Sequence, residues 1–182
     1  MMYLTTQAQT VNTTKPIWLY TSALIAAMLW VLCVKPAKAL EAGETAPNWM
    51  LYNTNGEAVL LYEELPKSAK TVLFFWASWC QRCSELLPTL SQLASLNASE
   101  NAQVFTLNLW DEQDPTEHLA SLNTNLPTLI KAEAVAQRYG VAGTPAMIVI
   151  DDQRQVIAVQ QAGEVTPQTL AHWLHPKVES SH

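Results

Sequence analysis

Between residues 71 and 93 the chain changes its hydrophobic period, and that change decides most of what it can build. Thr71 to Phe75 (TVLFF) is a short β-branched and aromatic run of the kind found in a strand covered on both faces. After Cys83, leucines at 86, 87, 90 and 93 return at helical spacing. Cys80 and Cys83 therefore lie where a buried strand turns into an amphipathic helix. Pro88 falls inside that helix and cannot donate to the carbonyl of Ser84, so a kink is expected. Gln103 to Leu109 reads as a second strand, which makes a strand-helix-strand unit with parallel pairing.

The flanking segments extend this unit on both sides. Trp49 to Tyr52 and Ala58 to Tyr62 flank Asn53-Thr54-Asn55-Gly56, a turn signal that predicts an entering hairpin. Asp114 to Leu122 and Ala132 to Tyr139 read as helices, with the short apolar Leu126 to Ile130 between them and Gly140 ending the second. Ala146 to Ile150 and Gln155 to Gln161 are strands joined by four residues, too few for a crossover, so they pair antiparallel. A last helix, Thr166 to Trp173, is stopped by Pro176. The order βαβ, helices, ββα predicts an α/β fold: a mixed central sheet with helices on both faces and an N-terminal hairpin extension.

The 182 residues suffice for one domain with a proper core. Ile17 to Val34 carries no charge and follows Lys15, which marks residues 1–39 as an export signal or a membrane anchor. Ala37-Lys38-Ala39 has the small-residue pattern of a cleavage site, whereas 18 apolar residues approach the roughly 20 that span a bilayer. Either ending puts the domain, residues 40–176, in an extracytoplasmic space, with 177–182 a loose polar tail. From Leu40 onward seven basic residues face sixteen acidic ones, so nucleic acid is not an expected partner. Cys33, preceded by Leu32, reads as a small hydrophobe of the apolar run, which leaves Cys80 and Cys83 as the cysteines of the domain.

Three chemistries are open to that pair. A zinc site needs four ligands, and the partners on offer are His118, His172 and His175; the second half would lie 89 residues away at a spacing unlike the usual finger. Those histidines read more simply as solvated residues near a helix C-terminus. Two inert buried cysteines are the second possibility. The third is a redox couple: unpaired N–H groups at the helix N-terminus stabilise a thiolate at Cys80, and Cys83, three residues on, closes the ring behind it.

FWASWCQRC after a buried strand, with GVAGTPAMIVID some sixty residues later, resembles the thioredoxin-fold oxidoreductases. The hairpin start GETAPNWMLYNTNGEAVLL and the segment between the two parallel strands and YGVAGTP resemble the exported TlpA/ResA/DsbE-like branch. The likeness spans residues 41 to 176. It implies a thioredoxin-like fold, a cis-proline site at Thr144-Pro145 whose Thr144 backbone pairs with an extended substrate, and an aromatic platform at Trp76 and Trp79. A cis bond before proline costs only about 0.5–1 kcal/mol, so that carry-over is inexpensive.

Three departures from the family pattern stand out. Thioredoxin's buried Asp falls at Phe74. The branch's Glu three residues after the second cysteine falls at Leu86, and the acid here is Glu85, about 100° around the helix. Arg82 stands where relatives carry proline; as a cation between the cysteines it would favour the Cys80 thiolate and make the couple more oxidising, or else extend to solvent for docking. A peroxidase on the same fold would need proline at Leu73 and threonine at Ala77. The reading is thus an exported thiol:disulfide oxidoreductase with Cys80, Cys83 and Glu85 as catalytic residues and Trp79, Arg82, Thr144 and Pro145 contacting substrate. No cofactor or metal is required beyond the cysteines, and the partners are protein thiol or disulfide clients and a membrane electron donor or acceptor. The rival is a redox-inactive binding or chaperone module with a structural disulfide.

Overall fold

Seven strands and five helices make up the computed structural model over its described residues, 39–65, 70–96 and 102–174. The strands are β1 (Met50–Asn53), β2 (Ala58–Leu60), β3 (Lys70–Trp76), β4 (Gln103–Asn108), β5 (Thr128–Ile130), β6 (Ala146–Asp151) and β7 (Val156–Gln160). The helices are α1 (Leu61–Glu64), α2 (Gln81–Leu96), α3 (Pro115–Ser121), α4 (Glu133–Arg138) and α5 (Pro167–Leu174). The strands form one mixed sheet in the order β2-β1-β5-β4-β3-β6-β7. β3 pairs parallel with β4 and β4 with β5; every other pairing is antiparallel.

β3 sits centrally because it is apolar on both sides. Val72, Phe74 and Trp76 point into one core with Leu86, Leu87 and Leu90 of α2 and Leu170 and Leu174 of α5. Leu73 and Phe75 point into the other, with Trp49, Leu61 of α1 and Val135, Ala136 and Tyr139 around α4. The period-2 alternation of one strand thus serves two layers of helix, the condition under which a strand carries no polar face. α2 presents Cys83, Leu86, Leu87, Leu90 and Leu93 inward and continues through Pro88, which lies on its exposed side.

The N-terminal hairpin is closed as its sequence predicts. Asn53 Oδ1 accepts from the N–H groups of Asn55 and Glu57, each at 2.9 Å, and Gly56 takes φ +81°, where a side chain would be strained. Two features differ from the expectation. β2 ends at Leu60, and Leu61-Tyr62 begin α1 rather than finishing the strand. The apolar Leu126 to Ile130 contains a strand, β5, which takes β4 on one edge and β1 on the other and so fastens the hairpin to the sheet. Ile17 to Val34, Ala37-Lys38, His175-Pro176 and the tail lie outside the described residues. Among the described residues, no helix is long and apolar enough to cross a membrane.

Candidate functional site

Parallel pairing brings the carboxyl ends of β3 and β4 side by side, and the site is built on the turns that leave them. The ladder continues one step past the strands, with Leu109 N–H donating to Trp76 O at 3.1 Å. A turn after β3, closed by Cys80 N–H on Ala77 O at 3.1 Å, delivers Cys80 to the start of α2. β6 runs antiparallel to β3 with Ala146 opposite Phe75, so Pro145 enters the sheet at this same end. The Thr144–Pro145 peptide is cis.

Cys80 and Cys83 are joined as a disulfide with Cα atoms 5.2 Å apart. Cys83 is fully buried, whereas Cys80 keeps 7% of its surface exposed. The Cys83 N–H, one of the donors that a helix N-terminus leaves unpaired, points at Cys80 Sγ at 3.2 Å. That donor and the helix dipole both act on the Cys80 sulfur, the atom on which negative charge is best tolerated.

The rim around Cys80 is held by residues of the β4–α3 loop. Trp79 is 60% exposed and donates its indole N–H to Trp110 O at 2.7 Å; Trp110 is 44% exposed. Trp110 adopts φ +53°, the left-handed region, and its N–H donates to Glu133 Oε1 at 2.8 Å, so both of its peptide groups are engaged. Trp110 also lines a shallow groove with Gln137 of α4 and with Val141 and Ala142, which lead to Thr144. Behind this rim Asp111 accepts from the Ser78 backbone N–H, from Ser78 Oγ at 2.7 Å, from Asn108 Nδ2 at 2.9 Å and from Gln113 N–H at 3.1 Å. Partial burial pushes the Asp111 carboxyl upward, but these hydrogen bonds to the ionised form outweigh it, and the net direction is below the ordinary value.

That direction fixes an acid dependence. A carboxylate held below its unfolded value of about 3.9 binds its proton less readily when folded, so its stabilisation is complete above about pH 5. It is lost as pH falls through the lowered folded value. Asp111→Asn is expected to lower stability at neutral pH and to flatten the loss between about pH 5 and 3 in urea unfolding. An acid limb as steep as the wild type's would show that other carboxylates carry it.

The remaining expected residues separate. Arg82 is exposed and its Nη2 donates to Val165 O at 3.3 Å, which ties it to the loop before α5. Glu85 is exposed on the outside of α2, where it accepts from Gln81 Nε2 at 3.3 Å, while the neighbouring Leu86 and Cys83 are buried. The structure therefore does not bring Glu85 to Cys83. Phe74 is fully buried. Thr144 Oγ1 and the Trp76 indole N–H are buried with no hydrogen-bond partner among the described residues. His172 stacks edge-on against Trp173, and among the described residues no group of three or more His, Cys, Asp or Glu could hold a metal ion.

His118 is the main correction to the sequence reading. It lies in the last turn of α3 but is half-buried rather than solvated, with Nε2 2.9 Å from Ser84 Oγ and its ring 5.7 Å from that of Trp76. Asp111, Trp110 and His118 were not marked as site residues by their sequence. The usable signal was positional: residues just past the ends of two adjacent parallel strands are neighbours.

A mixed sheet with flanking helices, a cysteine pair at the start of the helix after its central strand, and a cis proline at the same sheet end define a thioredoxin-fold oxidoreductase. The chain belongs to the Redoxin family, whose pattern it matches over residues 41–172. It is 26% identical over 138 residues to the thiol-disulfide oxidoreductase ResA of Bacillus thuringiensis subsp. konkukian, covering 74% of this chain and 78% of that one. The ResA of Bacillus subtilis is 23% identical over 124 residues, 67% of this chain and 68% of that one. A crystal structure described as a thiol:disulfide interchange protein DsbE of Chlorobium tepidum superposes with a TM-score of 0.64 at 26% identity, covering 74% of this chain and 93% of that one. The solution structure of a thiol:disulfide interchange protein from a Bacteroides species shares the fold, with a TM-score of 0.65 at 18% identity over 80% of this chain and 97% of that one.

Proposed function

We propose that this protein is an extracytoplasmic thiol:disulfide oxidoreductase that exchanges its Cys80–Cys83 couple with cysteines of partner proteins. The single observation carrying the reading is the asymmetry of the pair: the cysteine whose sulfur receives the Cys83 N–H is also the one that keeps some surface exposed, while Cys83 keeps none. In the oxidising direction a client thiolate attacks Cys80 Sγ, the bond to Cys83 breaks, and Cys83 leaves with the electron pair. A second client thiolate then attacks the client sulfur of the mixed disulfide and releases Cys80 as a thiolate. Two electrons pass from client to protein; the reverse sequence reduces a client disulfide, with Cys83 as resolver.

The surroundings support a protein client rather than a small molecule. Trp79 and Trp110 offer an exposed aromatic rim, and on this reading the Thr144 backbone, just before β6 at the same end of the sheet, pairs with an extended client segment. Arg82, held on the Val165 carbonyl, borders the other side of α2's first turn and contributes to docking. Residues 17–34 export or anchor the domain, and a membrane electron donor or acceptor resets the couple between clients.

Protein recovered from the extracytoplasmic fraction of its native host is expected to reduce insulin disulfides with turnover driven by dithiothreitol. Recovery from the cytoplasm alone would overturn export. A disulfide that glutathione does not open, together with no insulin turnover, would overturn exchange and leave the binding-module reading.

A further inference from the structure

We propose that His118 is the proton-exchanging partner of the Cys80–Cys83 couple, acting as a positioning and charge-compensating residue through Ser84. The inference rests on the exchange reading above. The positions where relatives of this fold place a buried acid hold Phe74 and Leu86, both buried and apolar, and Glu85 is turned outward onto Gln81. The half-buried side chain hydrogen-bonded to the cysteine turn is instead an imidazole.

The hydrogen-bond directions say what it does. Ser84 has one hydroxyl proton and two acceptors within reach, Cys80 O at 3.4 Å and His118 Nε2 at 2.9 Å. The 2.9 Å contact between Ser84 Oγ and His118 Nε2 can run either way while the ring is neutral, but an imidazolium can only donate there, and the hydroxyl then has Cys80 O as its acceptor. The imidazolium form is therefore accommodated with no rearrangement of the cysteine turn. Imidazole is the side chain that ordinarily changes charge between about pH 5 and 8.

The other charged groups nearby are committed or exposed. On α2, Arg82 is on Val165 O and Glu85 on Gln81. In the loop before α3, Asp111 is taken up by Ser78 and Asn108, Glu112 is exposed, and Asp114 caps α3 through Thr116 N–H. Glu117, on α3 itself, is exposed, and β3 contributes only the uncharged Trp76 at this end.

The balance closes with His118 included. A client dithiol supplies two electrons and two protons: one proton goes to Cys83 sulfur, one to the His118 ring, and Cys80 remains as a thiolate. On oxidation of the protein both protons leave with the electrons to the client disulfide.

His118→Gln is the discriminating variant, because a glutamine amide can still donate to Ser84 Oγ but cannot take up charge. Iodoacetamide alkylation of Cys80 in the reduced protein is measured across about pH 5.5–9.5. A nearby unit charge screened by water is worth about a three- to fivefold change in thiolate population. The variant is expected to react about three- to fivefold more slowly than wild type near pH 6 and to converge with it near pH 9, above the range in which an imidazole ordinarily carries charge. Identical profiles, or a ratio that is the same at every pH, would overturn the proposal, since a merely structural role predicts one or the other. If His118→Gln does not fold by circular dichroism, Ser84→Ala is used: a smaller loss confined to low pH supports the route through the hydroxyl, and no loss overturns it. Insulin reduction near pH 9 separates the two readings, because a wild-type protein that alkylates with the expected profile yet reduces no insulin sinks the exchange function and not His118.

Discussion

Cys80→Ala should bring insulin reduction down to the uncatalysed background, while Cys83→Ala should lose turnover but still complete one exchange and accumulate as a mixed disulfide with its client. The two variants differ because the cysteines sit differently on α2. Cys80 keeps 7% of its surface exposed and its sulfur receives the Cys83 N–H; Cys83 is wholly enclosed by the core that holds Trp76, Leu86 and Leu87. Removing the first sulfur leaves no nucleophile at the surface, so the loss should be on the order of a thousandfold or more, as when an enzyme loses its attacking group. Removing the second leaves the attack intact and deletes the resolving step. Non-reducing gels followed by peptide mapping read this directly, with the client attached to Cys80. Adducts formed through Cys83 in the Cys80→Ala protein, at a rate near that of Cys83→Ala, would reverse the roles. The same trapped adducts identify the clients.

What the sequence made legible follows from where single segments carry enough information. β3 and α2 could be placed because a strand buried on both faces loses its polar alternation and an amphipathic helix announces its period, and those two elements alone put Cys80 and Cys83 at their junction. β5 could not be placed with the same means. Thr128–Ile130 is three residues long and follows Pro127, and it is a strand only because β4 and β1 offer it edges from distant parts of the chain. Leu61 and Tyr62 likewise continue an apolar run yet start α1, whose Leu61 N–H turns back to Trp49 O at 3.1 Å.

The site divides along the same line. The cysteine pair and the cis Thr144–Pro145 bond were legible, the second through family resemblance. The supporting residues were not: Asp111 reads as one more acid in an acidic domain until Ser78 is known to lie across from it. His118 reads as a helix-end histidine until α3 is seen to turn its last turn toward Ser84 and Trp76. Both depend on tertiary placement that local spacing does not encode.

Phe74→Ala should be the most costly single truncation at the site, lowering stability by about 3–5 kcal/mol. Phe74 is fully buried, paired across the sheet with Thr106 on one side and Met147 on the other, and packed in the core beneath α2. Truncating it removes its transfer free energy and opens a cavity that central strands, held on both edges, cannot collapse to fill. For a domain of this size the loss corresponds to a melting temperature lower by about 10–20 °C. The position matters for function as well as packing, since a carboxyl here would serve as a proton acceptor behind Cys83 but would have to be buried among Val72, Trp76 and Leu90. The apolar choice secures the strand. Thermal and urea unfolding of the oxidised protein, with Cys80 alkylation at a temperature where Phe74→Ala is still folded, keep the two roles apart. A loss below about 1 kcal/mol would mean that the core tolerates a void at its centre, and a changed alkylation rate in the folded variant would mean that Phe74 shapes the cysteine turn and does not merely fill the space beneath it.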